Sequence, residues 1–333
     1  MKLSWRVNIP SAVNTVISTI LYVPFALYKI KTRCPHYDML FQTICLAGGG
    51  VGGFAHLGFL QAISQHQSLK SVDTWVGCSI GALVCLLSSV GLSPQQISTK
   101  FEKLNEGMFN FRATAEIHKK LGMDEGEYIK ALLYDLIIEV GLSPSLTFAE
   151  LKEKKSRRLI VCVTNVNAVR AEYFSPETHP DLSVVKAVRA SMGVPPLLTP
   201  VEHTADGATS FLTDGGVSDN FPLRYALTDF TSRFPGREPR FSVVGCNLVS
   251  PPVRDIKDFV TYILAIISCV RRQDAPSERC YVDVEVSDGD AFDFSAPVTS
   301  RRRLFNEGAR AGEAFITSMK GHARSYITRR RSF

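Results

Sequence analysis

Gly77-Cys78-Ser79-Ile80-Gly81 sets a serine between two glycines, at the point where the apolar run 72–77 gives way to the small-residue run 82–90. A serine hydroxyl is a weak nucleophile until a neighbouring base takes its proton, and G-x-S-x-G on a sharp strand-to-helix turn is one way to present it. Gly77 and Gly81 would permit a strained backbone at Ser79 and keep side chains away from an incoming carbonyl. The helix that follows would add the partial positive charge of its N-terminus. An ordinary glycine turn leading into a helix shares the pattern, so the partners of Ser79 have to decide.

Two further stretches offer partners. Gly48-Gly49-Gly50-Val51-Gly52-Gly53 ends the apolar run 41–47. Successive glycines can aim backbone N–H groups into a cavity, as an oxyanion hole requires, which makes Gly48, Gly49 and Gly50 candidate donors. The spacing Gly48-x-Gly50-x-x-Gly53, with Asp73 20 residues beyond it, also fits a dinucleotide-binding loop. Against that stands the second glycine elbow directly after Asp73 and the lack of a hydride-transfer constellation. Thr213-Asp214-Gly215-Gly216, followed by Asp219-Asn220-Phe221-Pro222, places a carboxylate on a tight turn, with Gly215 and Gly216 allowing another backbone to come close. A hydrolase triad would need a histidine after that acid. The one available is His322, beside the basic tail, while His56 lies on the helix after the glycine loop, where a packing role is expected.

The elements that must position these residues repeat one grammar. Apolar runs at 41–47, 72–77, 158–164 and 241–248 read as buried strands, and 54–64 and 82–90 as the helices that follow the first two. Strand, glycine turn and helix in alternation predict an α/β domain with a mostly parallel sheet. Residues 92–150 turn helical and polar between Pro94 and Pro144, with an amphipathic helix at 130–140, and such an insertion suits a lid or the wall of a substrate cleft. Runs 256–270 and 301–317 predict two more helices. The simplest division is a segment 1–40, a single domain 41–320 and a basic tail 321–333.

Composition fits a folded chain: of 333 residues 45% are hydrophobic and 21% charged, which excludes disordered, collagenous and low-complexity classes. The eight cysteines form no C-x-x-C pair and no zinc-spaced cluster, so no metal is expected and a reducing, intracellular compartment is favoured. Net charge +6 is uneven, with +4 in the first 40 residues, +7 in the last 33 and −5 in the body between. Basic ends suit an anionic membrane surface. Nucleic acid is disfavoured, because no stacking or groove-reading motif accompanies them. Residues 7–28 carry no charge and are flanked by Lys and Arg. They are long enough for a single-pass anchor, and their prolines and polar residues equally suit an interfacial helix or one packed on the domain.

Together the blocks resemble the patatin-like phospholipase family. The resemblance rests on Gly48-Gly49-Gly50 with Gly53 and His56, on Gly77-Cys78-Ser79-Ile80-Gly81, on Ala190-Ser191-Met192-Gly193-Val194-Pro195, and on Asp214-Gly215-Gly216 with Asn220 and Pro222. It implies a three-layer α/β sandwich and a Ser-Asp dyad, Ser79 as nucleophile and Asp214 as general base. It also implies calcium-independent hydrolysis of fatty-acyl esters of membrane phospholipids with no cofactor. A neutral acylglycerol lipase, a transacylase using the same dyad and a non-catalytic lipid-binding protein stay open, as do headgroup choice and oligomeric state. One departure stands out: Gly52 occupies a place where the family usually carries Arg or Lys.

Overall fold

Short β-branched and apolar runs buried on both faces can only be satisfied inside a sheet covered on both sides. The computed structural model describes residues 40–103, 120–205, 207–249, 255–270, 280–286 and 297–330. The expectations for residues 7–28, for the rest of the segment before residue 40 and for 331–333 lie outside the described residues. Eight strands form one sheet: β1 (Thr43–Leu46), β2 (Thr74–Cys78), β3 (Arg158–Asn165), β4 (Arg170–Phe174), β5 (Val201–Ala205), β6 (Ala208–Asp214), β7 (Val243–Val249) and β8 (Tyr281–Glu285). Pairing links them in the path β5-β6-β3-β2-β1-β7-β8, with β4 also paired to β3. The strands β3-β2-β1-β7-β8 run parallel, and β4, β5 and β6 join antiparallel.

Helices α1 (Gly53–His66), α2 (Ile80–Ser89), α3 (Pro94–Lys103), α4 (Glu127–Glu139), α5 (Phe148–Lys155), α6 (Val184–Ser191), α7 (Leu223–Arg233), α8 (Phe259–Val270) and α9 (Val298–Arg330) complete the described elements. The two-residue period of the strands divides the core between two faces. Ile44, Leu46, Trp75, Val161 and Leu248 share one buried cluster with side chains of α1 to α6 and α9. Cys45, Val76, Ile160 and Val243 share the other with Leu223, Ala226, Leu227 and Phe230 of α7. Helices on both faces of a mostly parallel sheet are the three-layer α/β architecture that the sequence predicts.

Helices α1 and α9 pack backbone to backbone: a Cβ on Gly58 would run into the Phe305 carbonyl, and one on Gly308 into the Ala55 carbonyl. Helix α9 continues without a break past residue 320, the expected end of the catalytic domain, to Arg330. The insertion after residue 92 is helical as expected in its described part, and one side of its helices joins the core. Ile97, Phe101, Ile129 and Leu133 are buried, and Phe101 meets Phe54 edge to face at the start of α1.

The sheet register brings the two chemical motifs together. β3 pairs with β2 through residues 158–162, with β4 through 161–165 and with β6 through 163–165. A residue has one neighbour on each edge, so the overlaps put β4 on one edge and leave β2 and β6 on the other. There β2 ends at Cys78, opposite Cys162, and the incoming β6 ends at Asp214, opposite Val163. Two strands running toward each other along one edge of β3 thus deliver Ser79 and Asp214 face to face, although 135 positions separate them in the chain.

Candidate active site

Ser79 sits between β2 and α2 with φ 52 and ψ −124, a left-handed conformation that costs a non-glycine residue energy and persists only where its surroundings hold it. Close packing explains the flanking glycines: a Cβ on Gly77 would lie 2.6 Å from the Ala82 backbone, and one on Gly81 would strike the carbonyls of Leu46 and Ala47. The Ser79 N–H donates to Ser191 Oγ at 2.8 Å, and Ser191 Oγ donates to the Cys162 carbonyl at 2.6 Å. One buried hydroxyl therefore ties the strained turn to β3.

The Ser79 hydroxyl donates to Asp214 Oδ2 at 2.6 Å, with Ser79 9% and Asp214 3% exposed. The other carboxylate oxygen, Oδ1, accepts from the Gly216 N–H at 2.6 Å. The Asp214 backbone is fixed as well, its N–H bonded to the Gly193 carbonyl and its own carbonyl to Thr164 Oγ1. Gly215 lets this turn lie directly on β3, since a Cβ there would meet the Cys162 carbonyl. Beneath the pair, Cys78 Sγ approaches Asp214 Oδ1 at 3.9 Å, and burial pushes its thiol well up, so it stays protonated.

The glycine loop lies against the same turn. The Gly48 N–H donates to the Asn220 carbonyl at 2.9 Å, and Asn220 Nδ2 donates to the Gly48 carbonyl at 3.1 Å. This takes Gly48 out of the three expected N–H donors. Its place in the site depends instead on having no side chain, because a Cβ would come within 2.5 Å of Asn220 Oδ1 and 3.1 Å of Ser79 Cβ. Gly50 adopts φ 53, a second left-handed turn. Gly53 packs the loop onto the serine turn, its absent Cβ replaced by Ile80 Cγ1. At Gly52, where the resemblance led one to look for a cation, Leu248 Cδ1 and Val286 Cγ2 occupy the ground a side chain would need, at 2.7 and 3.0 Å.

His56 has the packing role expected of it. It is fully buried, its Nε2 lies 2.8 Å from the Ala47 carbonyl, and burial lowers its pKa to about 4 against the raising effect of that bond. It is a neutral strut under the glycine loop. Asp219 is likewise a support: burial raises its carboxyl while Tyr173 Oη donates to it at 2.7 Å, fixing the turn that carries Asn220. The sequence marked Ser191 and Asn220 only as members of longer motifs, and their tasks, holding the serine turn and the glycine loop, depend on contacts across more than 100 residues. Among the described residues no cluster of three or more His, Cys, Asp or Glu is arranged to hold a metal ion.

An alcohol on a strained turn, bonded to a buried carboxylate and faced by a glycine loop, is an arrangement suited to acyl transfer. Similarity to known proteins agrees. A probable lipid hydrolase of Invertebrate iridescent virus 6 is 27% identical over 190 residues, 56% of this chain and 63% of that protein. A triacylglycerol lipase, ptl2, of Schizosaccharomyces pombe is 25% identical over 210 residues, 57% of this chain and 32% of that protein. The chain therefore spans less than two thirds of the length of either. The crystal structure of VipD from Legionella pneumophila superposes with a TM-score of 0.54 at 18% identity, over 84% of this chain and 67% of that one, a likeness of fold. The model of the patatin-like phospholipase family matches residues 44–227, more than half of the sequence and every residue from the glycine loop to Asn220, and the chain belongs to that family.

Proposed function

We propose that the protein is a lipid acyl hydrolase of phospholipase A type, working through Ser79 and Asp214. The observation that carries this reading is the 2.6 Å bond from the Ser79 hydroxyl to a carboxylate that is itself held by a backbone N–H. Asp214 takes the Ser79 proton as Oγ attacks the ester carbonyl, with no histidine between them. The N–H groups of Gly49 and Gly50 receive the developing oxyanion, each donor of this kind being worth ~3–4 kcal/mol in other enzymes. Collapse of the tetrahedral intermediate returns the proton to the leaving alcohol and leaves acyl-Ser79. Water, deprotonated by Asp214, then releases the fatty acid and restores the hydroxyl.

The substrate we assign is a fatty-acyl ester of a membrane phospholipid, met at an anionic bilayer surface. Cys45, Cys78, Cys85, Cys162, Cys246 and Cys269 are thiols outside any disulfide, which supports a reducing compartment and the cytoplasmic face of a membrane. Neutral glycerides are a second substrate class, favoured by the apolar packing of Leu248 and Val286 at Gly52 in place of a cation.

The test is release of labelled fatty acid from phospholipid vesicles and from a triacylglycerol emulsion, with chelator present, by wild type, Ser79→Ala and Asp214→Asn. Each substitution is expected to lower kcat by about 10⁴-fold. Wild type inactive on both substrates would overturn the reading. Product analysis with an added acceptor alcohol separates hydrolysis from acyl transfer.

A further inference from the structure

The fold buries two arginines in different ways. Arg158 is surrounded by carboxylates, those of Glu177 and Asp229. Arg189, on the last turn of α6, is 5% exposed and has no such company. Among the described residues it forms no ion pair and its Nη1 has no hydrogen-bond partner, while burial lowers its pKa against the pull of Asp124 and Glu127. A buried cation without a partnered acid is costly, and a methionine would fill the same space at less cost.

What Arg189 does hold is two carbonyls from segments remote in the sequence. Its Nη2 donates to the Glu125 carbonyl at 2.9 Å and to the Thr199 carbonyl at 3.2 Å. The first belongs to the strap 122–126 that leads into α4, the second to the segment 193–199 that follows α6. The two segments lie side by side. The N–H groups of Met123 and Asp124 donate to the carbonyls of Pro196 and Leu197, each at 3.0 Å, and the Thr199 N–H donates back to the Asp124 carbonyl at 2.9 Å. Gly126 closes the strap on the arginine: it turns left-handed at φ 71, and a Cβ there would run into the guanidinium.

Gly193 is where this packing meets the reacting pair. A Cβ on it would lie 3.3 Å from Arg189 Nη1. Its carbonyl accepts from the Asp214 N–H at 3.0 Å and from the Thr213 hydroxyl at 2.5 Å, so it fixes the end of β6 that carries the acid. We propose that Arg189 is a positioning residue: by clamping the strap 122–126 on the segment 193–199 it holds the Gly193 carbonyl, and through it the alignment of Asp214 with the Ser79 hydroxyl. The insertion after residue 92 is thereby coupled to the base. The proposal rests on the acyl-hydrolase reading for what Asp214 does, while its placement can be measured without turnover.

The experiment compares wild type and Arg189→Lys, each as the full chain, by turnover of a soluble short-chain p-nitrophenyl ester, melting temperature and amide hydrogen exchange read by NMR. Lysine keeps the charge but lacks the planar fork. It is expected to lower kcat about tenfold with KM within about twofold of wild type, since misplacing a reacting group by about 1 Å costs up to ~100-fold. Exchange of the Asp214 N–H should quicken about tenfold, with the amides of β1 unchanged. Thr213→Val removes the other bond to the Gly193 carbonyl, and its loss of kcat should combine less than additively with that of Arg189→Lys. Gly126→Ala, which pushes a methyl into the guanidinium, is the second variant should Arg189→Lys not fold. A lower melting temperature with kcat unchanged would overturn the proposal and make Arg189 a structural residue. A change confined to KM, fully additive losses, or Asp214 exchange equal to wild type would overturn it as well. A wild type that cleaves neither this ester nor lipid would sink the hydrolase reading, and faster Asp214 exchange in Arg189→Lys would leave the placement standing.

Discussion

The two ends of β2 and β3 carry two buried polar clusters, ~16 Å apart along five residues of strand, and they are built on opposite principles. At the N-terminal end Arg158, 5% exposed, donates to both oxygens of Glu177 and both of Asp229, and Arg233 donates to Asp73 at 2.6 Å. Every acid there faces a guanidinium, which holds its proton at any ordinary pH, so nothing can transfer. At the C-terminal end the acid holds an alcohol on a strained turn, and that bond can pass a proton. A buried centre, Arg158 in one and Asp214 in the other, and dense hydrogen bonding are common to both clusters. What separates structure from chemistry is the donor: a fixed cation in one, a hydroxyl with somewhere to go in the other.

The sharpest way to break this comparison is at its structural end. Arg158→Met would leave Asp229, 12% exposed, as a buried carboxylate stripped of its main partner, and loss of one member of a buried ion pair costs about 3–5 kcal/mol. Urea unfolding should show that loss, while kcat measured on the folded fraction stays within about twofold of wild type. A large fall in kcat at unchanged stability would mean that the two ends are coupled after all. The converse variant is Ser191→Ala. It removes the oxygen that accepts the Ser79 N–H and frees the strained turn to relax, and misplacing a nucleophile by about 1 Å costs up to ~100-fold. The expected signature is kcat reduced by about ten- to a hundredfold with KM unchanged. A shift confined to KM would show that Ser191 shapes the binding site instead.

The legibility of one cluster in the sequence, and the silence of the other, come from how each is encoded. Gly77, Ser79 and Gly81 lie within five residues, and the turn they form needs small side chains locally, so the pattern survives without the fold. Asp214-Gly215-Gly216 and the 48–53 glycines are legible for the same reason, as are the buried parallel strands with their apolar runs. Arg158, Glu177 and Asp229 are an ordinary surface composition until β3 and α7 bring them together. β4, β5, β6 and the parallel edge strand β8 escape the sequence reading because exposed or partly exposed residues such as Glu172, Glu202, Thr209 and Asp283 dilute their pattern. Yet β6 is the strand that delivers Asp214. The task of Gly48 was misread for a related reason: its N–H looks free until Asn220, 172 residues away, takes it.

The smallest expected effect sharpens the comparison through pH. Burial alone would raise the Glu177 carboxyl, but the hydrogen bonds from Arg158 and Lys152 outweigh it and hold the pKa at about 2, below the ordinary 4.5. A carboxyl with a depressed folded-state pKa stabilises the fold fully above its unfolded value. That contribution is lost as pH falls from about 4.5 toward about 2. Glu177 is 45% exposed, so water screens the pair and the contribution is about 1 kcal/mol or less. Thermal melts of Glu177→Gln against wild type should differ at about pH 6 and converge near pH 2. The pH dependence of kcat, which belongs to the other end of the sheet, should be the same in both proteins. A kcat profile displaced by Glu177→Gln would carry the influence of the ion cluster along the strands to Asp214, and the separation of the two ends would fail.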